Sequence, residues 1–115
     1  MLSHRNRFHG HGSLRFVYTH GSKKRTRDIG LHTIEKSKRV HSRFAIIVSK
    51  KIHKSAVKRN RVRRRLYEIV RHILPEIKQT QDFVITVFTP EVITMEKENI
   101  EKQLRELLVK DTTIG

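Results

Sequence analysis

Between Ser55 and Pro75 the chain makes two demands that one kind of element meets. Val62, Leu66, Ile69, Val70 and Ile73 recur at three- and four-residue spacing, so on a helix they fall on one apolar arc. Asn60, Arg63, Arg64, Tyr67 and Arg71 fall on the opposite arc. Ser55 is placed to cap the first turn, and Pro75, which has no N–H to donate, ends the helix at about Leu74. The apolar arc has to be buried against a second layer, and the polar arc has to be left out of it. Cations crowd the start of this helix. Of the sixteen residues from Lys50 to Arg65, nine are lysine or arginine and none is acidic. Charges of one sign at this density repel, so the stretch costs the free protein stability. A dense polyanion relieves that cost, because cations laid on phosphates displace condensed counterions.

The rest of the chain carries the same bias unevenly. Of the 115 residues, 36% are hydrophobic, enough for one modest core, and the net charge is +15 with a pI near 11.0. Residues 1–74 hold a net +18 and residues 75–115 a net −3, so the basic function belongs to the first two-thirds. A nucleic-acid binder and a polybasic membrane-surface protein both fit this balance. The longest apolar run, Phe44 to Val48, has five residues, against roughly 18 needed to span a bilayer. A basic N-terminus without an apolar core does not read as a secretory signal. The chain has no cysteine, which removes disulfides and thiolate metal sites and suits a reducing cytoplasm.

In order, Ser13 caps a short helix over Leu14 to His20, with Leu14, Val17 and Tyr18 on one face and Gly21 as its stop. Residues 28–35 alternate and predict a strand, weakened by Gly30. A turn at Lys36–Arg39 leads to a stronger strand over 42–49, apolar on consecutive positions and so covered on both faces. After the basic helix, residues 82–89 predict a third strand ended by Pro90. A last helix over Thr94 to about Lys110 turns Ile100, Leu104, Leu107 and Leu108 inward. The chain is therefore a single domain of the α+β class, a two-layer sandwich with helices on one side of a small sheet. Residues 1–8 read as a mobile basic arm.

The expected polyanion-binding residues are Lys50, Lys51, Lys54, Lys58, Arg59, Asn60, Arg61, Arg63, Arg64, Tyr67 and Arg71. Arginine suits bidentate contact with phosphate, and a helix N-terminus adds free N–H groups and partial positive charge. Arginines in that first turn oppose the helix dipole, a local conflict that points to function. Asn60 supplies a donor and an acceptor for a base edge or a ribose hydroxyl. Tyr67 offers a stacking surface, as do Tyr18, Phe8, Phe16 and Phe44, with core packing as the rival use of each ring. His9-Gly10-His11 is too sparse for a metal site without thiolates or nearby carboxylates. His53 and Lys54 lie beside the helix start, but acid–base catalysis needs two positioned groups, and no such pair stands out.

Val48-Ser49-Lys50-Lys51-Ile52, followed after a short gap by Lys58-Arg59-Asn60-Arg61-Val62-Arg63-Arg64, resembles the protein component of bacterial ribonuclease P. That family carries S-K-K at a strand end and then R-N-R-x-[KR]-R opening a helix. Arg5-Asn6-Arg7-Phe8, the set Leu14, Val17, Tyr18 and Gly21, Asp82-Phe83-Val84-Ile85 and the leucine-rich last helix extend the likeness over nearly the whole chain. The resemblance implies an α-β-β-β-α-β-α order with a left-handed βαβ crossover, and so an additional short strand between Thr26 and Val40. It implies docking on the RNase P RNA through the R-N-R helix. A cleft with Leu14, Val17, Tyr18 and Phe44 would hold the 5′ leader of precursor tRNA. It assigns no catalytic, metal or small-molecule site to the protein, and leaves leader cleavage to the RNA and its Mg²⁺. Three positions depart from the family pattern: Leu14 replaces an aromatic, Arg65-Leu66-Tyr67 replaces two apolar residues and a cation, and Gly10 and Gly12 shorten the first helix.

Two other readings share the charge. A structural ribosomal-RNA-binding protein needs no leader cleft, and a protein-only ribonuclease would cleave without an RNA subunit. Neither has an affirmative motif in the chain.

Overall fold

The computed structural model describes residues 21–34, 42–77 and 82–109. The helix expected over Leu14 to His20, the arm at 1–8 and the turn at Lys36–Arg39 lie outside them. Within them the order is β1 (Ser22–Arg25), β2 (Ile29–Ile34), β3 (Arg43–Ile47), α1 (Ala56–Ile73), β4 (Asp82–Val87) and α2 (Lys97–Leu108). Two 3-10 turns, Leu74–Glu76 and Pro90–Ile93, punctuate the second half. This is the α+β class that the alternation of elements predicts.

Four strands make one sheet in the order β1-β2-β4-β3. The pairs β1–β2 and β2–β4 are antiparallel, and β3 runs parallel to β4. Parallel neighbours need a long connection, and here it is α1. Phe44 is level with Phe83, Ile46 with Ile85, and Leu31 also with Ile85. Side chains alternate along each strand, so Ile29, Leu31, Phe44, Ile46, Phe83, Ile85 and Val87 share one face. Against it pack Val62, Leu66, Ile69, Val70 and Ile73 of α1 and Ile100, Leu104, Leu107 and Leu108 of α2. The second face carries Gly30, His32, Ala45, Ile47, Val84 and Thr86. All six residues of β4 are buried, which is why Phe83, Val84, Ile85 and Val87 stand on both faces of the strand, with Asp82 and Thr86 as its buried polar members.

The additional strand is β1, and it lies before Thr26 rather than between Thr26 and Val40. All four of its residues are exposed, so backbone pairing with β2 alone makes it a strand, and no apolar periodicity marks it. The last helix also begins later than expected. Pro90 opens a 3-10 turn that buries Val92, and Glu96 takes an extended conformation at φ −65°, ψ 145° before α2 starts. Pro75 falls inside the turn Leu74–Glu76, so α1 stops at Ile73.

A polar knot ties the hairpin, the end of β4 and α2 together. Asp28 is buried, and its carboxylate accepts from Thr89 Oγ1 at 2.5 Å and from Gln103 Nε2 at 2.9 Å. Gln103 Oε1 in turn accepts from the Thr26 hydroxyl and from the Asp28 amide. The Phe88 amide donates to the Asp28 carbonyl at 2.8 Å. The Thr89 hydrogen bond outweighs burial and, with Gln103 and the charge of Arg27, holds the Asp28 carboxyl below its usual range.

Candidate nucleic-acid interface

The basic stretch is a turn followed by a helix, and apolar anchors fix both. Ile52 is buried and its amide donates to the Ser49 carbonyl at 3.0 Å, which folds Lys50 and Lys51 outward into solvent. The Ser55 amide donates to His53 Nδ1 at 2.9 Å, and Ser55 Oγ accepts from the Lys58 amide at 3.3 Å. His53 is thereby a partner of the backbone at the helix start. The cap is the one expected of Ser55, and no acidic residue occupies the first turn of α1.

From this frame Lys50, Lys51, Lys54, Lys58, Asn60, Arg61, Arg64 and Arg71 are exposed, and Arg59 and Arg63 are half-buried. Burial of Val62 and Leu66 on the inner arc fixes the outward direction of Arg61 and Arg64. Arg43, Arg71 and Arg105 carry the ion pairs among the described residues, with Asp82, Glu68, and Glu76 and Glu101 respectively. Among the described residues, the carboxylates of the acidic C-terminal third thus form no ion pair with the cations of 50–64. Arg71 is an exposed partner of Glu68 at 2.9 Å, a pair of little net energy that a phosphate can displace. Arg59 Nε is buried and has no hydrogen-bond partner among the described residues. Arg65 is turned the other way, donating to the Met95 carbonyl and tying α1 to the segment before α2.

Two expected positions are corrected. Tyr67 does not stand on the polar arc: it is half-buried against the core, and its hydroxyl accepts the Ile46 amide of β3 at 3.3 Å. A long side chain at the border of a helical arc leans onto the nearest apolar surface, which here is the edge of the sheet. Phe44 is 0% exposed and stacks on Phe83 with centroids 5.0 Å apart. It belongs to the helix-covered face, so it offers no surface to a cleft on the other one. Leu14, Val17 and Tyr18 lie outside the described residues.

The second face of the sheet supplies residues that the sequence did not single out. His32 is buried there, and burial first, then the charge of Lys23, holds its pKa below the ordinary histidine value. Val84 is level with it on β4 and Ala45 with Val84 on β3, with Thr86 and Ile47 further along the same face, and Arg43 grips Asp82 through two hydrogen bonds of 3.0 and 2.8 Å. Those hydrogen bonds raise the Arg43 pKa, outweighing its partial burial. The signal for this face was present in the alternation of residues 29–34, but only the register with β4 shows what it faces.

No group of three His, Cys, Asp or Glu side chains able to hold a metal occurs among the described residues. Nor is any helix there long and apolar enough to cross a membrane.

Residues 2–111 match the Ribonuclease P family model. The chain is 36% identical over 89 residues to the ribonuclease P protein component of a Pseudanabaena species, covering 77% of each chain. It is 37% identical over 91 residues to that of a Synechocystis species, covering 79% of this chain and 70% of the relative. The solved RNase P protein of Staphylococcus aureus superposes with a TM-score of 0.76 at 23% identity, covering 90% of this chain and 92% of the other, and supports the fold. The chain belongs to the ribonuclease P protein family, as the protein subunit of the endoribonuclease that acts in tRNA processing.

Proposed function

We propose that Lys50, Lys51, Lys54, Lys58, Arg59, Asn60, Arg61, Arg63, Arg64 and Arg71 dock the chain on the RNase P RNA. The second face of the sheet then meets the 5′ leader of precursor tRNA. The observation that carries this reading is the cap-and-anchor frame of α1. Its buried arc points a row of arginines outward, and none of those from Arg59 to Arg64 is in an ion pair among the described residues. On sequence, Leu14, Val17 and Tyr18 are assigned to the leader cleft, and residues 1–8 to a basic arm of the same single domain. His32, Ile47 and Thr86 replace Phe44 as the sheet's contribution to that cleft.

The protein's share is to bind and orient. Among the described residues the buried carboxylates, Asp28 and Asp82, are already held by Thr89, Gln103 and Arg43, so this donor set does not fit a protein-held Mg²⁺. Catalytic Mg²⁺ is assigned to the RNA, and the cytoplasm, where precursor tRNA is made, to the complex. Reconstitution with the cognate RNA tests the reading: leader removal at low Mg²⁺ should be faster than with RNA alone. An unchanged rate would overturn it.

A further inference from the structure

At one end of the second sheet face lies a feature that the docking array and the leader cleft leave unused. Phe88 follows β4 and reaches across β2, its ring lying on Gly30, where a Cβ would come within 2.2 Å of Cε2. Arg25, level with Gly30 on β1, brings its guanidinium carbon to 4.3 Å from the ring centroid. The guanidinium is steadied by its own turn, with Nε donating to the Thr26 carbonyl at 3.2 Å and Nη2 to that of Arg27 at 3.4 Å. Beneath, the Phe88 amide is fixed to Asp28. The ring is thus held in place from both sides, yet Phe88 remains 38% exposed, one of two large apolar residues left in solvent among those described.

We propose that Arg25 and Phe88 form a stacking subsite for one unpaired nucleotide of RNA, with Lys23 and Arg27 placed for the adjoining phosphates. This inference rests on the RNA-binding reading above and adds a site to it. An aromatic ring and an arginine plane are the two protein surfaces on which unpaired bases stack, and here they are layered together on a rigid strand end. Lys23 and Arg27 are exposed on the same hairpin as Arg25, and this positive charge selects a phosphate-bearing occupant over a neutral apolar one. The strands β3 and β4 are parallel, so β3 runs out into Lys50 and Lys51 at the same end of the sheet as Phe88. One strand of RNA lying along this end can therefore meet both.

The test uses the full chain and a labelled single-stranded oligoribonucleotide, with Phe88→Leu and Arg25→Gln. Phe88→Leu keeps apolar cover over Gly30, and Arg25→Gln changes an exposed side chain that the fold does not need. Each should weaken binding about tenfold, with the double variant little weaker than either single one and Phe88→Trp close to the parent. Two further arms locate the nucleotide. A loss that grows with leader length on precursor tRNA assigns it to the leader, and a loss on the RNA component alone assigns it there; either supports the subsite. Unchanged oligoribonucleotide binding in both single variants would overturn it. Arg61→Ala, assayed on the RNA component in parallel, reports separately on the docking array.

Discussion

The Tyr67 hydroxyl accepts the amide hydrogen of Ile46 at 3.3 Å, closing the open edge of β3 with a side chain from α1. The basic helix is thereby locked to the strand that precedes it. Tyr67→Phe keeps the ring packing and removes the acceptor, so it should cost about 1 kcal/mol of stability in denaturant unfolding. The salt dependence of RNA binding should stay as in the parent. A change in that slope would mean that Tyr67 touches RNA.

Arg61 and Arg64 carry their charge into solvent from a buried scaffold. Replacing either with alanine should lower the slope of log K against log salt by about 0.7 to 0.9, the share of one phosphate contact. Unfolding stability should move by no more than about 0.5 kcal/mol, because neither side chain has a structural partner among the described residues. Titrations of the RNA component at several salt concentrations check the first, and a melting curve the second.

Phe44 packs on Phe83 in the core, and its truncation separates packing from leader binding. Phe44→Ala should cost about 3–5 kcal/mol of stability. Among molecules that remain folded, discrimination between precursor and mature tRNA should be unchanged. Loss of discrimination alone, with stability intact, would return Phe44 to the cleft.

Asp28 links three elements through a carboxylate whose pKa is depressed in the folded state, chiefly by the Thr89 hydroxyl. A group with a lowered folded pKa stabilises the fold above its unfolded value and loses that contribution as pH falls through the folded one. Stability should therefore fall on acidification below about pH 4, and Asp28→Asn should flatten this part of the profile while lowering stability at neutral pH. Denaturant midpoints measured across that range decide it.

Gly30 leaves room for the ring of Phe88, which would stand 2.2 Å from an added Cβ. Gly30→Ala should push the ring aside at a cost of about 1–3 kcal/mol. Combining it with Phe88→Ala should recover part of that loss, since the two changes share one contact. Simple additivity in the double-mutant cycle would contradict the contact.

The central helix is legible in the sequence because everything that defines it is contiguous: Ser55 at the cap, five apolar residues in periodic order, and Pro75 beyond the end. The strand β4 is legible for a related reason, as burial on both faces leaves Phe83, Val84, Ile85 and Val87 within five residues. What escapes depends on partners distant in the chain. Nothing in Ser22-Lys23-Lys24-Arg25 marks a strand until β2 is beside it. Residues 44–48 are apolar on every position, so the face that receives Phe44 is set only by its register with Phe83. The Asp28 knot joins residues 61 and 75 positions apart, and no local pattern announces it. Of the interface, the arginine row reads directly from spacing, whereas the second sheet face and the Arg25–Phe88 layer appear only once four strands are aligned.

The outermost strand, β1, presents three cations within four residues along the rim of the sheet. A second copy approaching that rim to extend the sheet would have to zip its backbone past this fence of like charge, and an unguarded strand edge is where such polymerisation begins. Charges that oppose such pairing leave the rim open to a molecule of opposite sign. Mutations that neutralise all three cations together should lower solubility as well as RNA binding.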